Sequence, residues 1–132
     1  MEIIIDTSAV LAVVLNEPQK AALVELTTGA ELVAPASLPW EVGNAFSAML
    51  KRGRITLPDA RRALSVYELI PIRFLDVDLE AALSLAARHN TYAYDAYMLA
   101  CAEARRSPLL TLDSGLIHAA KNAGIDFLEV AK

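Results

Sequence analysis

The chain has 132 residues, 55% of them hydrophobic, and a formal net charge of −4. That is enough apolar material for one substantial core in a domain of ordinary size, residues 1–132. No apolar run approaches the roughly 18–20 residues a membrane span needs, no basic segment precedes the first apolar run as a secretion signal would require, and an acidic balance does not advertise a nucleic-acid binder. The single cysteine, Cys101, rules out an internal disulfide; in its alanine-rich stretch it reads as a small core residue in a reducing cytoplasm.

In chain order, residues 2–6 read as a buried β-branched strand followed at once by a helix-starting Asp-Thr-Ser. A helix runs to about Asn16, and a second covers Pro18 to Thr27 with Gly29 as its stop. Glu31 to Ala34 is a short strand, and a helix from Ser37 or Pro39 reaches Arg52, closed by Gly53. Leu57-Pro58-Asp59 opens another helix, which Pro71 ends. Ile72 to Val77 is a third strand, Asp78 to about Asn90 a helix, and Tyr94 to Arg106 a further helix stopped by Ser107-Pro108. Leu109 to Leu112 is a fourth strand, Ser114 to Asn122 a helix capped by Gly124, and Phe127 to Val130 a fifth strand. Continuous apolar strands separated by helices imply a parallel sheet covered on both faces.

Four acidic residues stand where apolar segments meet a turn or a helix start: Asp6, Glu41, Asp95 and Asp113. Asp6 and Asp113 fall at the carboxyl ends of strands, and Glu41 and Asp95 in first helical turns, so the topology can bring all four to the sheet edge where ligands bind in such folds. Each has an ordinary reading as a helix cap or first-turn acid. Together they ask for a cationic partner, since an uncompensated carboxylate costs several kcal/mol to bury and no lysine or arginine lies within three positions of any of them. A carboxylate set without His or Cys suits Mg²⁺ or Mn²⁺ rather than zinc. Asn44 shares a helix face with Glu41. His89 and His118 lie in polar helical surroundings and read as surface residues. The basic residues gather at Lys51, Arg52 and Arg54, at Arg61 and Arg62, and at Arg105 and Arg106; solvated helix ends is the plain reading, and a hold on a phosphate backbone the alternative, with Lys51, Arg52 and Arg54 the first candidates for it.

The segments Ile3-Ile4-Ile5-Asp6-Thr7-Ser8, Trp40-Glu41-Val42-Gly43-Asn44, Tyr94-Asp95-Ala96-Tyr97 and Leu110-Thr111-Leu112-Asp113 resemble, in this order, the four acidic motifs of PIN domains, and the chain is similar to the VapC toxins of prokaryotic toxin–antitoxin pairs. The resemblance implies a three-layer α/β/α sandwich around a parallel sheet of about five strands and an endoribonuclease dependent on Mg²⁺ or Mn²⁺. It also implies a cytoplasmic homodimer with a small antitoxin partner, and RNA as substrate. Asp6, Glu41, Asp95 and Asp113 become the catalytic and metal-binding carboxylates, with Ser8, Asn44 and Thr111 in support. Leu116 and Ile117 stand where family members often carry an aromatic residue.

Two other readings remain open. A Mg²⁺-binding receiver or phosphatase-like domain would want a second acid beside or two residues beyond Asp6, where Thr7 and Ser8 stand. A non-catalytic interaction module would use apolar surface instead, with Trp40, Phe46, Tyr67 and Leu69 as candidates, each more simply read as core.

Overall fold

Ile3, Ile4 and Ile5 leave no polar position, and they form the central strand β1 (Glu2–Ile5) with Ile3 and Ile4 fully buried. β-branched side chains suit the pleated backbone, and a strand covered on both faces has no solvent side toward which to alternate. The computed structural model describes residues 1–131. After β1 come α1 (Thr7–Val14), α2 (Lys20–Thr27), β2 (Glu31–Pro35), α3 (Leu38–Lys51), α4 (Leu57–Leu69) and β3 (Ile72–Leu75). Then follow α5 (Leu79–His89), α6 (Ala93–Arg105), β4 (Leu109–Leu110) and α7 (Ser114–Ala123).

All strand pairings are parallel, in the order β3-β2-β1-β4. β1 meets β2 from Glu2 opposite Glu31 to Ile4 opposite Val33, and meets β4 at Ile4 opposite Leu109 and Ile5 opposite Leu110. The chain therefore builds outward through β2 to β3 and then crosses back, placing β4 on the other side of β1. With right-handed crossovers this reversal sends the two sets of helices to opposite faces. α1 packs against α2, α3 and α4, α5 packs against α6 and α7, and α6 lies over β1, β2 and β4. The result is the expected α/β/α sandwich, with the direction of winding reversing between β1 and β4, where such sheets form their ligand crevice.

Among the described residues the sheet has four strands, not five. The segment expected as a fifth, Phe127–Val130, is reduced to one parallel bridge from Phe127 to Leu109. β4 itself stops at Leu110 instead of Leu112, because the next amides turn to side chains: Leu112 N–H donates to Ser8 Oγ at 2.9 Å and Asp113 N–H to Thr111 Oγ1 at 3.0 Å. A fifth strand would have to pair with β4, which ends one residue beyond the Leu109 bridge. β3 ends at Leu75 rather than Val77 as the chain turns toward Asp78, whose carboxylate caps α5. α1 ends at Val14, short of Asn16, which adopts a left-handed φ of 55°, and α2 begins at Lys20 rather than Pro18.

At the amino edge of the sheet Glu2 accepts from Arg105 Nε at 2.9 Å, Arg105 Nη2 at 2.6 Å and Ser107 Oγ at 2.9 Å, with Arg73 Nη2 at 3.4 Å. The hydrogen bond from Arg105 leads the effects that hold its carboxyl down at about 2. Cys101 is buried as expected, and desolvation pushes its thiol up to about 11.

Candidate active site

Asp6 follows directly on β1 and is 6% exposed. It caps α1, its Oδ1 accepting Ala9 N–H at 3.2 Å. Ser8 Oγ donates to Oδ1 at 2.6 Å and Thr111 Oγ1 to Oδ2 at 2.6 Å. Since Ser8 and Thr111 also accept the amides of Leu112 and Asp113, each hydroxyl relays a backbone donor from the end of β4 to one oxygen of Asp6. The capping role and the clustered site are thus one arrangement.

Glu41 sits in the first turn of α3. Ser37, the residue before that helix, makes no capping hydrogen bond and instead donates Oγ to Glu41 Oε2 at 2.9 Å; Thr7 Oγ1 reaches Oε1 at 3.4 Å. Asp95 occupies the first turn of α6, half-buried. Asp113 caps α7, its Oδ1 accepting Gly115 N–H at 2.9 Å, and is exposed.

The four carboxylates are close enough to feel one another. Desolvation, and then the charge of Asp113, raise Asp6 above the usual carboxylate range, although hydrogen bonds from Ser8, Thr111 and Ala9 pull the other way. Burial also raises Glu41, against hydrogen bonds from Ser37 and Thr7, with Asp6 and Asp95 adding repulsion. Asp95 is raised by burial and then by Asp113 and Asp6, with no hydrogen bond to offset them. Among the described residues the ion pairs lie elsewhere: Arg62 with Asp59, Arg73 with Glu2 and Glu31, and Arg105 with Glu2. Among the described residues, no protein cation balances the like charges of the site.

An all-oxygen donor set with uncompensated negative charge fits a hard divalent cation. It is not a closed cage: among the described residues, no three His, Cys, Asp or Glu side chains are grouped tightly enough to enclose an ion. An open set is compatible with Mg²⁺, which keeps several waters and takes only one or two carboxylates directly.

The other candidates divide. Ser8 and Thr111 touch Asp6, whereas Asn44 is exposed and makes no hydrogen bond to Glu41 among the described residues. It stands one helical turn further on, while Ser37 and Thr7 take both oxygens of the glutamate. Sequence reasoning passed over those two hydroxyls as ligands of Glu41; Ser37 had a signal in its spacing of four before Glu41, and Thr7 had none, since its partner is 34 positions away. Lys51, Arg52 and Arg54 close the far end of α3, with Lys51 about 15 Å along the helix from Glu41. Arg54 lines a cleft of about 660 Å³ with Asp59 and Arg62 that contains none of the four acids. His118 is exposed and hydrogen-bonded to Asn122, and His89 is half-buried. Phe46 is core and Tyr67 half-buried, but Trp40 and Leu69 are exposed, against their core reading.

The PIN domain family profile matches residues 3–122. The VapC ribonuclease Mb0985 of Mycobacterium bovis is 32% identical over 112 residues, which cover 84% of this chain and 85% of that protein. Among solved structures, PAE2754 from Pyrobaculum aerophilum superimposes with a TM-score of 0.71 at 23% identity, over 96% of this chain and 92% of its own. VapBC2 of Rickettsia felis, crystallised with a DNA fragment from the promoter, gives 0.71 at 13% identity over 99% and 100% of the two chains. With four acids gathered at the winding reversal of a parallel sheet, and these matches spanning nearly the whole length, the chain belongs to the PIN domain family and is similar to its VapC ribonucleases.

Proposed function

We propose that this protein is a Mg²⁺- or Mn²⁺-dependent endoribonuclease, the toxin of a toxin–antitoxin pair, with Asp6, Glu41, Asp95 and Asp113 as its catalytic carboxylates. The observation that carries the reading is a buried Asp6, coupled in charge to Asp113, Glu41 and Asp95, with no ion pair to any of them among the described residues. A second support is the 32% identity to a VapC ribonuclease across most of both chains.

The four carboxylates would hold the ion, one or two of them directly and the others through its waters. When bound, it supplies positive charge to a phosphodiester and makes a nearby water more acidic. The chain's own part is to fix those donors beforehand. Ser8 and Thr111 lock both oxygens of Asp6, and Ser37 and Thr7 hold Glu41, as supporting hydroxyls do around ligating carboxylates. Asp95, with no such hold, is the carboxylate with most freedom to turn toward a ligand. One of the cluster takes the proton of the attacking water. The expected setting is the cytoplasm; among the described residues no helix is long and apolar enough to cross a membrane. A homodimer and a small antitoxin complete the proposal, and exposed Leu57, Leu64, Val66 and Leu69 on α4 offer apolar surface for such contacts.

The test is cleavage of total cellular RNA, transfer RNAs included, by protein freed of any co-purifying partner, in Mn²⁺, Mg²⁺ and EDTA. Cutting should appear with metal and vanish with EDTA and in Asp6→Asn. Cutting that survives EDTA, or none on any RNA, would overturn the proposal.

A further inference from the structure

Three of the five glycines take a left-handed φ, and a fourth, Gly43, has open space where a Cβ would go. Gly115 fits neither case. It lies in the first turn of α7, where alanine would be the better helix former. Beyond its chain neighbours and the backbone of its own helix, one atom lies within 4 Å of a Cβ built there, Asp113 Oδ1 at 3.3 Å. That is tighter than an ordinary van der Waals contact. The absent side chain at 115 therefore makes room for a carboxylate, and for one of the four in the candidate site.

Asp113 is held at three points. Its amide donates to Thr111 Oγ1 at 3.0 Å, its carbonyl accepts Ile117 N–H at 3.0 Å, and its Oδ1 accepts the amide of Gly115 itself at 2.9 Å. Its Oδ2 accepts no hydrogen bond among the described residues. Asp6 and Glu41 differ, since hydroxyls reach both oxygens of each. With the backbone of Asp113 fixed, only rotation of the side chain sets where Oδ2 points. A Cβ at position 115 would force Oδ1 to move, and Oδ1 moves only by stretching its bond to the Gly115 amide or by turning Oδ2. Because Asp113 is exposed, that turn meets little resistance, so the fold would tolerate the change while the direction of the carboxylate would not survive it.

We infer that Gly115 is a positioning residue for Asp113: its bare Cα lets its own amide anchor Oδ1 and leaves Oδ2 free for the divalent ion. The inference rests on the metal-dependent ribonuclease reading and adds the residue that orients one of its carboxylates. Gly115 is not a catalytic residue.

Wild type, Gly115→Ala and Gly43→Ala should be melted without metal and across a Mn²⁺ titration, and assayed for cleavage of total cellular RNA over the same range. Without metal, Gly115→Ala should melt at least as high as wild type. It should nevertheless need roughly tenfold more Mn²⁺ for half of the metal-induced rise, the low end of what altering a group that orients a metal ligand costs. Half-maximal cleavage should shift by the same factor, with most of the wild-type rate regained at saturating Mn²⁺. Gly43→Ala should leave the Mn²⁺ requirement unchanged, and in an Asp113→Asn background Gly115→Ala should add no further shift. A wild-type Mn²⁺ requirement in Gly115→Ala, or a shift that persists in the Asp113→Asn background, would overturn the inference and leave the nuclease standing. A variant that melts lower without metal would assign Gly115 to the helix cap alone and overturn it too. A wild type stabilised by Mn²⁺ that cuts no RNA would sink the nuclease while the melting curves still decide Gly115. A wild type that Mn²⁺ neither stabilises nor activates would sink both.

Discussion

Thr111 does more than its place after a two-residue strand suggests. Buried to 1% exposure, it donates to Asp6 and accepts the amide of Asp113, linking two of the four acids. Thr111→Val keeps the shape and removes the hydroxyl, leaving a buried carboxylate oxygen and an amide short of a partner. The expected cost is about 1–3 kcal/mol, read as a lower melting temperature, with Thr111→Ser recovering most of it. RNA cleavage should fall in Thr111→Val beyond what unfolding explains, because Asp6 loses its orientation. At this scale much was legible from the chain. Asp6 and Asp113 announced themselves as charges closing apolar runs, and Ser8 and Thr111 stood beside them. Ser37 had a local signal in its spacing of four before Glu41, but the hold of Thr7 was not legible, because it depends on where α3 docks against the start of α1, which no local pattern encodes. Asn44 misled for the converse reason: sharing a helix face with Glu41 says nothing about which way that face points.

Among the elements, β4 shows a candidate site shortening a strand. Its apolar sequence continues to Leu112, so period and composition read a longer strand, but the hydroxyls around Asp6 capture the next amides and the ladder ends. The expected fifth strand is reduced to one bridge because the β4 edge it would pair with is itself so short, which propensity cannot anticipate. The helices were read within a few residues, since Pro39, Pro58, Gly53 and Gly124 punctuate them in ways the backbone obeys. α3 carries one avoidable weakness. Gly43 lies in its interior in a helical conformation with open space where a Cβ would go. Gly43→Ala should therefore stabilise the protein by about 0.5–1 kcal/mol, a rise of roughly 2–4 °C in melting temperature. A fall would mean that the face is packed in solution.

For the whole molecule, charge is distributed unevenly between the two ends of the sheet. At the amino end Glu2 is held ionised by Arg105 and Ser107, its carboxyl at about 2; its contribution is present above the ordinary carboxylate value and is lost as pH falls toward about 2. At the carboxyl end the sign is opposite. Asp6, Glu41 and Asp95 have raised values, led by burial, so the folded state binds protons more tightly than the unfolded chain. Their contribution is fully present below the ordinary carboxylate range and is lost as pH rises through the raised values. Melting in EDTA should therefore show stability increasing as pH is lowered from neutral toward that range, then declining at more acid pH as Glu2 protonates. Mn²⁺ or Mg²⁺, bound only by the folded state, should raise the melting temperature at neutral pH and flatten the acid-side gain. Metal-free melts that are flat in pH and unmoved by either ion would contradict this charge distribution.

Asp95→Asn separates the cluster's two consequences in one protein. Among the described residues Asp95 accepts no side-chain hydrogen bond that asparagine would forfeit, and it is raised by burial and by its acidic neighbours, so neutralising it should relieve repulsion while leaving the fold intact. The decisive measurement is transfer RNA cleavage in Mn²⁺ by wild type and Asp95→Asn, both confirmed folded by their metal-free melting curves. The account predicts a variant at least as stable as wild type without metal, with cleavage reduced by two orders of magnitude or more, roughly the scale of losing a principal catalytic group. A variant that cuts RNA as fast as wild type would contradict it.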